Sequence, residues 1–192
     1  MIAHVILDHF SSAPNTTLDM ELAEQGIDAE IWIAEHDPND VVGSIGRSHK
    51  KIIQHAKEAG LKQVCILEED VMFLGPKAWE HFLYNIPKDF DLYLGGCYGL
   101  RQLTYQRIAS HEGPVEIHNF AGLHCYIINE SYYDKFLSLP ENKHIDDQPG
   151  MGRFYVCSPF VALQHPGFSS NHKTKVNYNI NIPKECLYHG QG

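Results

Sequence analysis

Gln63 to Phe73 reads QVCILEEDVMF, a short apolar run that ends in three acids, Glu68, Glu69 and Asp70. Val64, Cys65, Ile66 and Leu67 show no alternation of apolar and polar residues. That is the pattern of a strand covered on both faces by helices, and it predicts an α/β sheet. In open sheets of this kind ligands bind in the crevice beyond the carboxyl ends of the strands, where these acids fall. Side chains alternate along an extended segment, so Glu68 and Asp70 are expected on one side and Glu69 on the other. Like-facing carboxylates repel, and a divalent cation would relieve the repulsion. Oxygen ligands suit Mg²⁺ or Mn²⁺, either of which can hold a diphosphate. A solvated acidic strand end is the alternative at this level of reading.

Outward from this strand, Ala3 to Leu7 reads as a first strand. A polar loop follows, then a helix capped at Thr16 or Thr17 and stopped by Gly26. Ile31 to Ile33 makes a second strand. A helix over about Ser44 to Ala59 carries Ile45, His49, Ile52, Ile53 and Ala56 on one stripe. His49 is there either a core residue or a donor aimed at the acids. After the acids, Gly75 and Pro76 open a helix with Trp79, Phe82, Leu83 and Ile86 inward. DFDLYLGG, Asp89 to Gly96, reads as a strand whose closing glycines, Gly95 and Gly96, permit close approach of a ligand.

Leu100 to His118 reads as a loop or hairpin over the site. His124 to Ile128 is a strand followed by a helix capped near Asn129 or Ser131. Asp146 and Asp147 then either cap a short helix or supply a general base within reach of an acceptor hydroxyl. FYVC and VALQ, at 154–157 and 161–164, read as a final strand pair, and NYNINI at 177–182 as an edge strand. His165 and His172, in the loop after VALQ, are either plain loop residues or additional metal ligands.

The chain has 192 residues, 43% of them apolar and 20% charged, which fits one globular domain. We assign 1–170 to that domain and 171–192 to a polar tail packed on it or extending from it. Fifteen Lys and Arg against 24 Asp and Glu leave a net charge of −9, which argues against general nucleic-acid binding. The five cysteines lack framework spacing and read as buried thiols of a reducing compartment. No apolar stretch reaches membrane-spanning length and the amino terminus is too polar for a signal peptide, so a cytoplasmic location is expected.

Several of these pieces, in this order, resemble the glycosyltransferase family 25 galactosyltransferases of bacterial lipo-oligosaccharide (lipopolysaccharide) biosynthesis. GSIGRSH at 43–49 is similar to that family's Gly-x-x-x-x-Ser-His helix start, and ILEEDV to its ILEDDV. DLYLGG, GLHCYIIN, the following IDD and SPFVALQ continue the likeness over about 41–170. The resemblance implies a single GT-A-like domain, of Rossmann type, with a mostly parallel central sheet. It implies transfer, with inversion, of a hexose from a nucleotide-sugar donor, typically UDP-galactose, to a glycan or lipid-linked saccharide acceptor.

It further implies Glu68 and Asp70 as ligands of Mn²⁺ or Mg²⁺, a site that His165 or His172 could complete. Ser48, His49, Glu69, Gly95, Gly96 and Gln164 would then lie at the donor, and Asp146, or else Asp147, would be the catalytic base. No arginine occurs before Arg47, where the family carries arginines after its first strand. That departure motivates a second reading, a non-catalytic sugar-nucleotide or glycan-binding module. A metal-dependent hydrolase using the acids and the histidine loop is a third.

Overall fold

The computed structural model describes residues 1–8, 15–147, 150–169 and 174–190. The strands are β1 (Ala3–Leu7), β2 (Ala29–Ile33), β3 (Gln63–Glu68), β4 (Val71–Phe73), β5 (Leu92–Leu94), β6 (Gly113–Ile117), β7 (Cys125–Asn129), β8 (Phe154–Ser158), β9 (Ala162–Gln164), β10 (Gly167–Ser169) and β11 (Thr174–Val176). The helices are α1 (Asn15–Gln25), α2 (Val41–Glu58), α3 (Ala78–Tyr84), α4 (Gln102–Ala109) and α5 (Glu130–Leu137). Seven strands form the central sheet in the order β2-β1-β3-β7-β5-β8-β6.

β1, β2, β3, β5 and β8 run one way, and β6 and β7 run against them. The α/β architecture and the mostly parallel sheet expected from the sequence are those observed.

Both faces of β3 are covered. Val64 and Ile66 pack into a core with α2, α4 and α5 residues such as Ile52, Tyr105 and Phe136. Cys65 and Leu67 pack into the opposite core with Leu18 and Leu22 of α1 and Trp79 and Phe82 of α3. Neither face has a polar side to show, which is why the strand reads as an unbroken apolar run. β7 repeats the pattern, with Tyr126 and Ile128 on one face and Cys125 and Ile127 on the other.

Three local expectations are corrected. Residues 100–118 are not a loop over the site, since α4 buries Tyr105 and Ile108 and β6 forms the sheet's edge beside β8. β8 and β9 do not pair with each other: β8 joins β5 and β6 in the main sheet, whereas β9 pairs antiparallel with β4. Short-range periodicity cannot show that long-range exchange. Residues 178–181 form a 3-10 helix rather than an edge strand, capped by the Asn177 side chain accepting from the Asn179 amide at 3.0 Å. The first helix has also begun by Asn15, ahead of the threonines read as its cap.

Gly95 and Gly96 mark where the β5 end meets the 160–162 segment. Val161 and Ala162 amides both donate to the Gly95 carbonyl. A Cβ at Gly96 would stand 2.1 Å from the Ala162 carbonyl oxygen, and one at Gly95 2.7 Å from Cys125 Sγ. Backbone cannot yield as a side-chain end can, so Gly96→Ala is expected to cost about 3 kcal/mol. A fall in the thermal midpoint would check this, and a midpoint equal to wild type would refute it.

A second structural device lies at the opposite end of β5. Asp91 accepts from Arg153 Nη2 and the Arg153 amide, both at 2.8 Å, and from Ser131 Oγ at 2.7 Å, tying β5, β8 and α5 together. Burial works against its charge, but the Arg153 and Ser131 hydrogen bonds outweigh it and lower its pKa to about 2. A carboxyl depressed in the fold stabilises it above the unfolded pKa and loses that contribution as pH falls toward the folded value. Asp91→Asn should therefore cost about 2 kcal/mol at neutral pH, with the difference from wild type closing between about pH 4 and 2. Denaturant midpoints across that range measure it.

The segment after β11 folds back into the domain. Ile182, Cys186 and Tyr188 are buried, and the Phe160 amide donates to the Cys186 carbonyl at 2.7 Å. All five cysteines are free and buried. Among the described residues no helix is long and apolar enough to cross a membrane.

Candidate active site

β3 delivers Glu68 at its carboxyl end, and the chain turns at 69–70 before leaving the main sheet as β4. The β4–β9 register sets Val71 opposite Gln164, and the His165 amide donates to the Asp70 carbonyl at 2.7 Å. Gln164 is thereby held over the acid turn. Its Nε2 donates to Glu68 Oε2 at 3.3 Å and to Asp70 Oδ2 at 3.2 Å, so one amide group bridges two carboxylates. Glu69 points the other way and accepts from the Asp8 amide at 2.7 Å, fastening the turn to the end of β1. The facing of the three acids is the one that strand alternation predicts.

His49 satisfies both of its sequence readings at once. It is buried on the α2 stripe, with Nε2 3.1 Å from Glu68 Oε1 and Nδ1 2.9 Å from the Tyr126 hydroxyl. An ionised carboxylate only accepts, so Nε2 carries a proton. Burial first, then the Glu68 charge, keeps the Tyr126 phenol protonated, and it donates to Nδ1. Ser48 beside it accepts from the Glu35 amide at 2.8 Å and donates to the Ser44 carbonyl, pinning the chain that follows β2 to α2.

The two acids of the pair are driven apart. Burial pushes Glu68 up, but hydrogen bonds from His49 and Gln164, with the nearby His49 and His124, outweigh it and hold the carboxyl below its usual range. At Asp70 burial, then the charges of Glu68 and Glu69, push the carboxyl well above its usual range. Two further atoms of this cluster, Asp70 Oδ1 and Gln164 Oε1, are buried with no hydrogen-bond partner among the described residues. Buried oxygens left unpaired are costly and ask for a donor or a cation.

That donor set fits a hard divalent ion. Asp70 and Glu68 would hold it, with Gln164 Oε1 beside them. Among the described residues no three His, Cys, Asp or Glu side chains are gathered to hold a metal. Mg²⁺-type sites commonly use one or two carboxylates and complete their shell with water and phosphate oxygens. Of the two histidines considered as ligands, His165 sets Nε2 3.4 Å from Glu21 Oε1 on α1. His172 lies outside the described residues.

The reversed strand β7 brings its amino end to the carboxyl ends of β3 and β5, and with it residues that sequence reading did not single out. The His124 carbonyl accepts from the Glu68 amide at 3.0 Å. His124 Nε2 lies 3.3 Å from the Ala162 carbonyl, its Nδ1 is buried with no hydrogen-bond partner among the described residues, and burial lowers its pKa. Tyr98, just past Gly95 and Gly96, donates from its hydroxyl to Asp146 Oδ2 at 3.4 Å. The same oxygen accepts from the Gly122 amide at 3.3 Å.

Gly122 has φ +97°, and a Cβ there would meet the Tyr98 ring at 2.7 Å, so only glycine seats the tyrosine. Asp146 is thus turned toward the β5–β7 side of the crevice. Asp147 follows it in a 3-10 turn, and its side chain lies outside the described residues. Tyrosines carry too many ordinary roles for Tyr98 to have been picked from sequence, though its place two residues after a glycine pair was a usable signal.

The site is a polar crevice at the carboxyl ends of an open α/β sheet, with paired acids at the end of β3 and a further acid, Asp146, held by Tyr98 and Gly122 on the β7 side. No protein-family model and no curated protein matches the chain. Fifty solved chains match it by structure. Among them, A197 from STIV superposes with a TM-score of 0.54 at 15% identity, over 96% of this chain and 97% of that one. A glycosyltransferase involved in the glycosylation of the major capsid of PBCV-1 gives 0.49 at 12% identity, over 90% and 97%. HddC from Yersinia pseudotuberculosis, complexed with GMP-PN, gives 0.44 at 10% identity, over 81% and 89%. What the chain shares with A197 is the fold.

Proposed function

We propose that the chain is a metal-dependent glycosyltransferase of the GT-A type, moving a hexose from a nucleoside-diphosphate sugar to a hydroxyl acceptor with inversion. The observation that carries this reading is the Glu68–Gln164–Asp70 cluster at the end of the central strand, with its unpaired oxygens Asp70 Oδ1 and Gln164 Oε1. The motif order resembling family 25 supports it.

Glu68, kept ionised by His49, and Asp70 would hold Mn²⁺ or Mg²⁺. When bound, that ion supplies positive charge to the departing diphosphate. Asp146 takes the proton of the acceptor hydroxyl as the oxygen displaces the diphosphate at the anomeric carbon. Tyr98 and the Gly122 amide hold the Asp146 carboxylate in place until then.

Calorimetric titration of UDP, then other nucleoside diphosphates, with and without Mn²⁺ tests the reading. Binding is expected only with the metal. Absence of binding by any of them with Mn²⁺ or Mg²⁺ would overturn it in favour of a glycan-binding module.

A further inference from the structure

An open groove of about 480 Å³ runs beside the acid cluster, between the stretch after β5 and the 3-10 helix at 178–181. Its walls include Tyr98, Tyr105, Tyr178, Ile180, Asn177 and Asn181, and among the described residues no charged side chain lines it. Its volume is within the range of about 300–1,000 Å³ typical of small-ligand sites. Tyr98 and Tyr178 line it as a parallel stacked pair, 4.8 Å between centroids and 8° between planes, each ring covering one face of the other.

Two hydrogen bonds join the groove to the reacting centre. Tyr98 donates to Asp146, and Asn179 Nδ2 donates to the Gln164 carbonyl at 2.7 Å. The groove lies on the β5 side of the acids. The first strand–helix unit, where doubly wound sheets seat a nucleotide, lies on the other side.

We propose that this groove is the acceptor subsite and that it takes the terminal hexose of a neutral glycan, a reading that rests on the glycosyltransferase assignment above. A pyranose presents one face of C–H groups, which suits a tyrosine ring, and a rim of hydroxyls, which suits the amides of Asn177 and Asn181. A lining without charge offers nothing to a phosphate or an acidic sugar. A hexose on the Tyr98–Tyr178 pair has its free hydroxyl turned to Asp146, which the same Tyr98 holds.

The test is saturation-transfer NMR on the whole chain with methyl glycosides of glucose, galactose, mannose and N-acetylglucosamine, each without nucleotide and again with UDP and Mn²⁺. At least one is expected to receive saturation on its ring protons. Tyr178→Ala should weaken that glycoside by about tenfold, the loss of one aromatic contact. Asn181→Ala, which leaves the aromatic pair intact, should weaken it less and alter the preference among the sugars. UDP affinity, read separately by calorimetry, should not change in either variant. Loss of UDP affinity in Tyr178→Ala with the glycoside signal intact would make the groove a nucleobase slot and overturn the proposal. So would the absence of signal from every glycoside. Because UDP and glycoside binding are read separately, failure of the donor site and failure of the groove are distinguishable.

Discussion

Asp70→Asn is expected to abolish Mn²⁺-dependent UDP binding and, at the same time, to raise the thermal midpoint of the metal-free protein. The two effects have one cause. Asp70 stands in a half-buried turn beside Glu68 and Glu69, and its charged form is disfavoured there by burial and by both neighbours. A carboxyl whose folded pKa is raised destabilises the fold as pH climbs through and above its unfolded value, so at neutral pH the wild type bears that cost and the amide does not. Relief of about 1 kcal/mol corresponds to about 2–4 °C in a chain of this size.

Asn keeps an oxygen for the Gln164 hydrogen bond, so the local geometry survives. What it lacks is the charge a divalent ion needs. Loss of an indirect ligand partner already costs about 10–100-fold in metal affinity, and loss of a direct ligand should exceed that. Calorimetry and a melting curve on the same sample check both halves. A stabilised variant that still binds UDP with Mn²⁺ would remove Asp70 from the metal site, and a destabilised one would show that its charge supports the fold.

Asp146→Asn should have the opposite profile. UDP affinity stays at the wild-type value while turnover falls by about 10²–10⁴, the usual range for a positioned general base. Asp146 accepts from Tyr98 and Gly122 on the β7 side, and its role is at the acceptor rather than the donor, so UDP affinity is the readout that should not move. Asparagine has the same shape and can accept the same two hydrogen bonds, but it cannot take a proton. The measurement is sugar transfer from UDP-hexoses to a saccharide panel, beside calorimetric UDP binding. Full turnover in this variant with loss in Asp147→Asn would move the base one residue along.

Much of this was written in the order of residues. The unbroken Val64–Leu67 run and the acids after it fixed a strand buried on both faces and the side on which Glu68 and Asp70 fall. His49 was visible as part of a helical stripe, yet its bond to Glu68 depends on how α2 lies across β3, which periodicity does not encode. Gly95 and Gly96 show how one signal has two physical sources. Glycines at a strand end permit close approach, and the structure shows that backbone and Cys125 of this chain come close there.

What could not be read was pairing at a distance. β9 leaves β8 to meet β4, and this exchange is what sets Gln164 between the two acids. Likewise the apolar run of β7 carries no mark of its reversed direction, and with it goes the approach of Gly122 and His124 to the site. The helix at 102–109 was hidden by its mostly polar exposed face, with Gln102, Gln106 and Arg107 outward around only two buried residues.

The five buried thiols make the protein a clock of its own opening. Cys65, Cys125 and Cys157 lie in central strands, Cys97 follows β5, and Cys186 sits in the segment that folds back over Phe160. Burial raises every one of their pKa values, so thiolate is scarce as well as sheltered. An aromatic disulfide reagent added to the native chain should find nothing to react with until a region opens. The order in which the residues are labelled then reports which part of the domain breathes first. If Cys186 reacts well ahead of the strand thiols, the 182–188 segment detaches while the sheet stays closed. Simultaneous labelling would mean that the segment and the sheet open as one unit.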